Sequence, residues 1–223
     1  MYARDRAWGR AGYHRPPVSK PQSLVFIDWY SPGFKAGGPV RSMVNMVDHL
    51  RDRIDFHILT SDTDYTEDEP YTGISADRWT TLPGGERVWY ASKAGTNTGV
   101  WKKLLAEKQW DAVYINGIYS RWSSITPLWL MRGSGSRRIV AVRGMLSAGP
   151  MRHGALKKRA FLFAMKALGC FKGVEFQATN EEEVGDIKRW IGSDAVIHLV
   201  PNLQRKANAS PQPAQSWRRC QCK

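Results

Sequence analysis

The sequence predicts an α/β fold, with one domain over residues 23–203 built on a mainly parallel, doubly wound sheet. Short apolar stretches of strand length alternate along this span with longer stretches whose apolar residues recur at helical spacing. The strongest instance runs from Ser23 to Leu50, where a strand, a glycine-bearing loop and a helix follow one another. The alternation as a whole predicts about seven strands and about six helices.

The opening strand, loop and helix are expected to organise the rest of the fold. An apolar run begins at Leu24, and its strand is predicted to stop near Tyr30 because residues 31–39 are rich in turn-forming Ser, Pro and Gly. Pro39 suits the first turn of a helix, where its missing N–H leaves nothing unpaired. Apolar residues then recur at helical spacing from Val40 to Leu50.

Two glycines just before this helix make the loop a candidate ligand site. Gly37 and Gly38 lack a β-carbon, so the backbone can approach a ligand closely. The unpaired N–H groups at the start of the following helix favour an anion. The loop therefore predicts a phosphate or sugar pocket, and the alternative is that its glycines serve only the turn.

A dinucleotide site is a further alternative for the same loop. The fingerprint G-x-G-x-x-G is absent, because the glycines fall at Gly33, Gly37 and Gly38. Asp62 and Asp64, which follow the second strand, could still supply the acid that binds a ribose. The glycine spacing argues against a nicotinamide enzyme and leaves this alternative open.

Polar, glycine-bearing turns end two later strands, at Asn116-Gly117 and Arg143-Gly144. In an open parallel sheet such turns line the ligand crevice. A guanidinium at Arg143 suits a phosphate or carboxylate ligand, and pairing with a nearby Asp is the alternative. The strands expected to be parallel neighbours, with the loops of Gly37, Asn116 and Arg143 on one edge, are Leu24–Ile27, Phe56–Leu59, Val113–Ile115 and Ile139–Val142.

The positive charge of the chain is concentrated at its ends. The 223 residues carry a net charge of +13, of which residues 1–20 contribute +4 and residues 204–223 contribute +5. The folded body is left with only +4, so no nucleic-acid partner is expected. Residues 1–22 are predicted to form a flexible arm, and residues 204–223 a disordered or aberrant basic tail.

Cysteine usage and hydropathy favour the cytoplasm. Cys170 lies among apolar residues, and Cys220 and Cys222 are too close together and too isolated for a zinc site. This pattern fits a reducing compartment. The dense carboxylates of residues 61–70 specify no metal by their spacing, so no metal site is predicted. No stretch has the composition of a signal peptide or a membrane span.

Residues 151–172 are predicted to form one basic amphipathic helix. Such a helix can lie peripherally on the anionic inner face of a membrane, where lipid-linked acceptors are held. The alternative is that its apolar residues pack in the core while its lysines are merely solvated.

The loops described above resemble those of glycosyltransferases with the GT-B fold, in particular family four. Pro32, Gly37 and Gly38 resemble that family's Pro-x-x-x-Gly-Gly type of loop, with four residues here between Pro32 and Gly37, and Arg41 corresponds to the early Arg of its helix. Arg143 opens an Arg-Gly-Met-Leu turn that resembles a Pro-Arg-Gly-Met-Leu segment in one branch of the family.

Two departures from the family pattern bear on the site and on the extent of the likeness. Asn116 stands where the family often has His. Pro201-Asn202 resembles the interdomain hinge signature, with Leu203 in place of its glycine, and the resemblance stops there. The chain is therefore expected to be the Rossmann-like, acceptor-side half of a GT-B enzyme, truncated before the donor-binding domain and weakly active or inactive.

The resemblance implies retaining transfer of a sugar from a nucleotide-diphosphate donor to an acceptor hydroxyl. The product would be a polysaccharide, a lipopolysaccharide or another glycoconjugate, with the nucleotide sugar as substrate and no cofactor. The partners implied are this donor and a glycan or lipid-linked acceptor. The alternatives are a non-catalytic interaction module or remnant, and a Rossmann-like dinucleotide-binding protein. No catalytic residue is predicted, and the residues expected to bind donor or acceptor are Gly37, Gly38, Arg41, Asn116, Gly117, Arg143 and Gly144.

Overall fold

Strands and helices alternate along the chain in a computed structural model that describes residues 19–152 and 154–206. The strands are β1 (Gln22–Phe26), β2 (Asp55–Ser61), β3 (Trp79–Thr81), β4 (Arg87–Ala91), β5 (Ala112–Asn116), β6 (Arg137–Ala141), β7 (Val174–Ala178) and β8 (Val196–Leu199). The helices are α1 (Gly38–Leu50), α2 (Thr98–Ala106), α3 (Thr126–Leu130), α4 (Ala148–Arg152), α5 (Ala155–Ala167) and α6 (Glu181–Trp190).

The strands form a single sheet in the order β3-β4-β2-β1-β5-β6-β7-β8. Every neighbouring pair is parallel except β3 with β4. The chain runs outward from β1 to one edge of the sheet and then returns to β5 on the other side of β1. This order confirms the predicted α/β class, the doubly wound sheet and the four parallel neighbours. It also puts the topological switch point between β1 and β5, where ligands bind in open α/β sheets.

The alternation of side chains along β1 builds a core on each face of the sheet. Leu24 and Phe26 belong to a large apolar cluster that includes residues from α2, α3, α5 and α6. Val25 and Ile27 point to the other face, where they cluster with Met43 and other residues of α1. Both faces of β1 are therefore buried, which explains its uninterrupted apolar sequence.

The first strand is shorter than predicted. It ends at Phe26, not near Tyr30, although the N–H of Ile27 still donates to the carbonyl of Leu59 at 3.1 Å. Beyond this point the Asp28 side chain turns toward hydroxyls at the end of β5. Residues 27–30, expected to continue the strand, thus form the start of a loop at the sheet edge.

Two other features of the structure differ from the prediction. The single helix expected over residues 151–172 is divided into α4 and α5, with Gly154 between them in the left-handed region at φ +69°. The short antiparallel strand β3 precedes Gly85 and adds one strand to the roughly seven that the sequence predicts. The count of described strands is accordingly eight.

The predicted terminal segments lie largely outside the described residues, which exclude 1–18 and 207–223. The described part of the basic tail contacts α1. The carbonyl of Gln204 lies 2.9 Å from His49 Nε2, and Lys206 Nζ donates to the carbonyl of Asp48. None of the helices in the described ranges is both long and apolar enough to cross a membrane.

One buried histidine in β2 ties the stability of the fold to pH. His57 is 4% exposed, and its ring packs against Trp79 and Trp110 at centroid distances of 5.3 and 5.0 Å. Burial, together with the nearby charges of Lys108 and Arg87, lowers the pKa of His57 from 6.5 to about 4. The folded protein therefore holds this ring neutral at a pH where the unfolded chain begins to protonate it.

We expect the protein to lose stability as the pH falls from about 6.5 to about 4, because only the unfolded chain gains a proton on His57 in that window. The loss from this group should be on the order of 1–3 kcal/mol. Urea unfolding of the wild type and of His57→Gln at pH 7, 6, 5 and 4 tests this. The variant should show a shallower decline with pH, and parallel curves would contradict the assignment.

Candidate functional site

A cavity of about 280 Å³ lies at the switch point, beside the carboxyl ends of β1 and β5. The start of α1 forms one side, and the turn after β6 contributes Met145. Asp28 and Asn116 are among the polar residues of its wall. The residues that line it are Ile27, Asp28, Trp29, Lys35, Ala36, Pro39, Val40, Tyr65, Asn116 and Met145.

The Asp28 carboxylate is fixed by two hydroxyls from the segment after β5. Ser120 Oγ and Ser123 Oγ both donate to its Oδ1, at 2.6 and 2.7 Å. A wide, π-type helical turn over Arg121–Ile125 brings both serines to the same oxygen. Because both hydroxyls use Oδ1, Oδ2 is the oxygen that remains available to a ligand.

Burial raises the pKa of the half-buried Asp28 carboxyl above its ordinary value, and the two serine hydroxyls only partly oppose this shift. The protein therefore keeps a carboxylate where burial disfavours its charge. A raised pKa in a cavity is typical of groups that bind or react with a ligand.

Asn116, a second polar residue of the wall, has a side-chain hydrogen-bond donor without a partner among the described residues. It is 4% exposed, and the unpartnered donor is its Nδ2. Arg143 Nε donates to Asn116 Oδ1 at 3.0 Å, which requires the amide oxygen on that side and leaves Nδ2 on the other. A buried donor without a partner is costly, so a ligand acceptor at this position would relieve it.

Arg143 acts on the cavity through Asn116. Its Nη2 donates to the Tyr114 hydroxyl at 2.9 Å, and its Nη1 donates to Asn202 Oδ1. All three contacts are to neutral groups, so the pairing with an Asp that the sequence left open is not what the structure shows. The backbone of Arg143 lies at φ +53°, a left-handed conformation that is strained for a residue with a side chain.

The glycine loop reaches the cavity at the start of α1. Gly37 is the residue before the helix, at φ +70°, which a residue without a side chain adopts readily. Gly38 is the first residue of α1, and a β-carbon there would meet nothing within 4 Å. Ala36 and Pro39 on either side line the cavity, so the free N–H groups at this helix end lie at its border.

Asp64 holds this loop in place. Its carboxylate accepts the backbone N–H groups of Phe34 at 3.0 Å and Tyr65 at 2.7 Å. Burial works to raise the pKa of Asp64, but these donors and the Lys35 N–H outweigh it, and the pKa lies below its ordinary value. Asp64 is therefore engaged by the loop itself, and neighbouring Asp62 is buried, which argues against a ribose-binding role for either.

Asn116 is the only predicted site residue that itself lines the cavity, and the remaining three predicted residues are engaged elsewhere. Gly117 sits behind Met145 at φ +108°, where a β-carbon would lie 3.3 Å from Met145 Cε. The N–H of Gly144 donates to Glu183, so this donor is already used. Arg41 is exposed and lines a different cavity, of about 770 Å³, on the outer side of α1. The site thus brings together the glycine loop and Asn116, with Arg143 one contact away.

Sequence reasoning missed several residues of the wall. Trp29 and Tyr65 are in edge-to-face contact at a centroid distance of 4.8 Å, and both line the cavity. Lys35 and Asp28 line it as well. Asp28 could have been found, because it directly follows an apolar run and so falls at the carboxyl end of a buried parallel strand.

Comparison with known proteins identifies a relative of this fold. Sucrose-phosphate synthase from Thermosynechococcus elongatus matches with a TM-score of 0.54 over 82% of this chain and 48% of that chain. The fold is glycosyltransferase-like. At 13% identity the likeness concerns the fold alone, and the chain spans about half the length of this neighbour. No family model matches the sequence, and a search of curated proteins gives no match.

The two aspartates of this glycosyltransferase-like fold should respond oppositely to neutralisation. Asp28→Asn keeps an Oδ1 for both serines and removes a charge that burial disfavours, so the variant should be at least as stable as the wild type at pH 7. The advantage should vanish below the ordinary pKa of 3.8, where the carboxyl is protonated in both states, and grow as pH rises through the folded pKa.

Asp64→Asn is the matched control. Because the folded pKa of Asp64 is lowered, its contribution is present above the ordinary value of 3.8 and is lost as pH falls through the folded pKa. The variant should lose roughly 1–2 kcal/mol at pH 7, since backbone N–H groups bind a carboxylate more strongly than an amide. Urea unfolding of both variants at several pH values measures the two effects. A similar change in the free energy of unfolding for both variants would contradict the assignment.

Proposed function

We propose that the chain is the acceptor-side half of a retaining glycosyltransferase of family-four type. It would transfer a sugar from a nucleotide-diphosphate donor to an acceptor hydroxyl during synthesis of a polysaccharide, a lipopolysaccharide or another glycoconjugate. The observation that carries the proposal is that one cavity is lined by Asp28, which has an available carboxylate oxygen, and by Asn116, which has an unpartnered amide. The cavity lies at the switch point of a glycosyltransferase-like fold.

The chemistry of the cavity suits a sugar. A hydroxyl group donates one hydrogen bond and accepts others, so sugar hydroxyls can donate to Asp28 Oδ2 and accept from Asn116 Nδ2. The rings of Trp29 and Tyr65 offer an apolar wall for the C–H face of a pyranose. A pocket with a few converging polar groups in a largely apolar lining is typical of small-molecule sites.

The glycine loop suits the leaving diphosphate. Its role in this proposal is to stabilise the negative charge that develops as the sugar departs. The positive end of the α1 dipole lies at this border of the cavity, where Ala36 and Pro39 line the wall on either side of the two glycines, and the first turn of α1 carries no acidic residue. A second domain would hold the nucleotide and close over the strand ends, excluding water from the contacts.

Ligand binding by the full chain tests this function. Saturation-transfer NMR and thermal shift should detect sugar-containing ligands, assayed as UDP-sugars, GDP-sugars and a panel of oligosaccharides. Asp28→Ala and Asn116→Ala should each weaken binding about tenfold or more, since each leaves a buried partner unmatched. Lys102→Ala, on the exposed face of α2 and outside this cavity, is the control and should bind as the wild type does. Binding of NAD in preference to every sugar ligand would contradict the proposal.

Gly38→Val tests the donor side separately. A branched side chain at the start of α1 should obstruct the approach of a diphosphate to the helix N–H groups. Folding should be preserved, because a β-carbon at this position meets nothing within 4 Å. The expected result is weaker binding of nucleotide sugars with an unchanged response to neutral oligosaccharides. Weaker binding of both ligand classes to the same extent, or unchanged binding of both, would argue against a diphosphate at this loop.

A further inference from the structure

The outward face of α5 carries an apolar stripe. Leu156 is 82% exposed and Phe163 is 76% exposed. They are seven residues apart, two helical turns, so they lie on the same side. Exposed Ala160 and Ala167 fall between and beyond them on that side. We name these four residues the α5 stripe.

The α5 stripe is distinct from the face that packs on the sheet. Leu162 and Met165 are the buried residues of this helix, and both belong to the main core cluster. Apolar residues therefore occur on both sides of α5. Packing in the core accounts for the apolar residues on the inner side only. The exposed apolar residues on the outer side indicate contact with a partner.

Basic side chains flank the α5 stripe. Lys157 lies on one side of it, with Arg159 and Lys166 on the other, and all three are exposed. The surrounding sequence is unusually one-sided, because residues 112–174 contain eleven Lys or Arg and no Asp or Glu. The net charge of the folded body conceals this excess of positive charge, because its acidic residues all lie before residue 112 or after residue 174.

The apolar surface continues past the end of α5. Leu168 follows the helix directly and is exposed, as is Trp129 of α3. Arg132 joins them, because its Nη1 donates to the Leu168 carbonyl at 2.7 Å while its guanidinium lies 5.5 Å from the Trp129 ring centroid. An exposed apolar centre with a basic surround thus extends over two helices.

We propose that this surface binds an anionic lipid bilayer. A helix of this kind inserts its apolar side chains at the headgroup boundary while Lys and Arg contact lipid phosphates. A second copy of the chain would bring two strongly basic faces together, which like-charge repulsion opposes. A nucleic acid would satisfy the cations but leave Leu156 and Phe163 in water. This inference does not depend on the proposed transferase function.

The helix that carries the α5 stripe contacts the segment after β5. Tyr119, in the segment after β5, is 5.5 Å from Phe161 of α5 by ring centroids, and its hydroxyl contacts Met151 Sδ at 3.1 Å. A bilayer held by α5 would therefore bring membrane-bound molecules to the same end of β5 that carries Asn116. If the transferase proposal holds, this contact favours a lipid-linked acceptor.

Flotation with vesicles tests the proposal. The full chain should partition onto vesicles of phosphatidylcholine with phosphatidylglycerol, and not onto pure phosphatidylcholine. Leu156→Ser with Phe163→Ser should lower partitioning at least tenfold. Phe34→Ser, which removes an exposed apolar side chain elsewhere, is the control and should have no effect. The terminal segments are unchanged in every variant, so their basic residues contribute equally throughout.

Charge reversal gives an independent readout. Lys157→Glu with Arg159→Glu should lower partitioning at least tenfold and reduce its dependence on salt. The exposed pair on α2, as Lys102→Glu with Lys103→Glu, alters the net charge equally and should leave partitioning within about twofold. Far-UV circular dichroism confirms that each variant is folded.

Four results would overturn the proposal. Equal binding to neutral and anionic vesicles would remove the role of the cations. Unchanged partitioning of both α5 variants would assign any binding to another part of the chain. Binding of single-stranded RNA that is lost in the charge variant and retained in the apolar variant, with no vesicle binding, would assign the surface to a nucleic acid instead. Self-association that is abolished by Phe163→Ser, again without vesicle binding, would assign it to a second copy.

Discussion

The pairing of β1 with β5 is the constraint on which the candidate site depends. These strands are neighbours in the sheet although α1, β2, β3, β4 and α2 lie between them in the chain. Their parallel register, Ser23 with Ala112 through Phe26 with Ile115, brings both carboxyl ends to the same edge. This register also places Asp28 and Asn116 at that edge, since they lie at the ends of the two paired strands. The chain reverses direction across the sheet here, so no further strand fills the gap above the two ends.

Two kinds of polar group lie at this edge of the sheet. Some stabilise the glycine loop, and others remain available to bind a ligand. Asp64 has a lowered pKa because backbone N–H groups surround it, and it serves the loop. Asp28 has a raised pKa because burial outweighs its two serine partners, and one of its oxygens stays free. Arg143 orients Asn116 and leaves its Nδ2 unpaired. Polar groups left unmatched in this way fit a surface whose partner is a ligand.

The sequence was sufficient for the fold because parallel strands buried on both faces read as apolar runs. Leu24–Ile27 is such a run, and the polar turn at Asn116 marks a strand end in the same way. Asp28 was not recognised, because the apolar and aromatic residues around it read as one longer strand. Its partners Ser120 and Ser123 lie 92 and 95 residues away in the chain, and only the fold brings them together. The basic amphipathic character of residues 151–172 was predicted from the sequence, but charge summed over the whole folded body conceals how far the basic residues are segregated.

The central claim is that the cavity between Asp28 and Asn116 binds a sugar. The most direct measurement is an NMR titration of protein labelled with ¹⁵N at asparagine, with the side-chain NH₂ of Asn116 assigned through an Asn116→Gln variant. On addition of the sugar-containing ligands, the Asn116 NH₂ signals should shift in a saturable manner while those of Asn97 at the start of α2 remain unchanged. Saturable sugar binding that leaves the Asn116 signals unmoved would contradict the account.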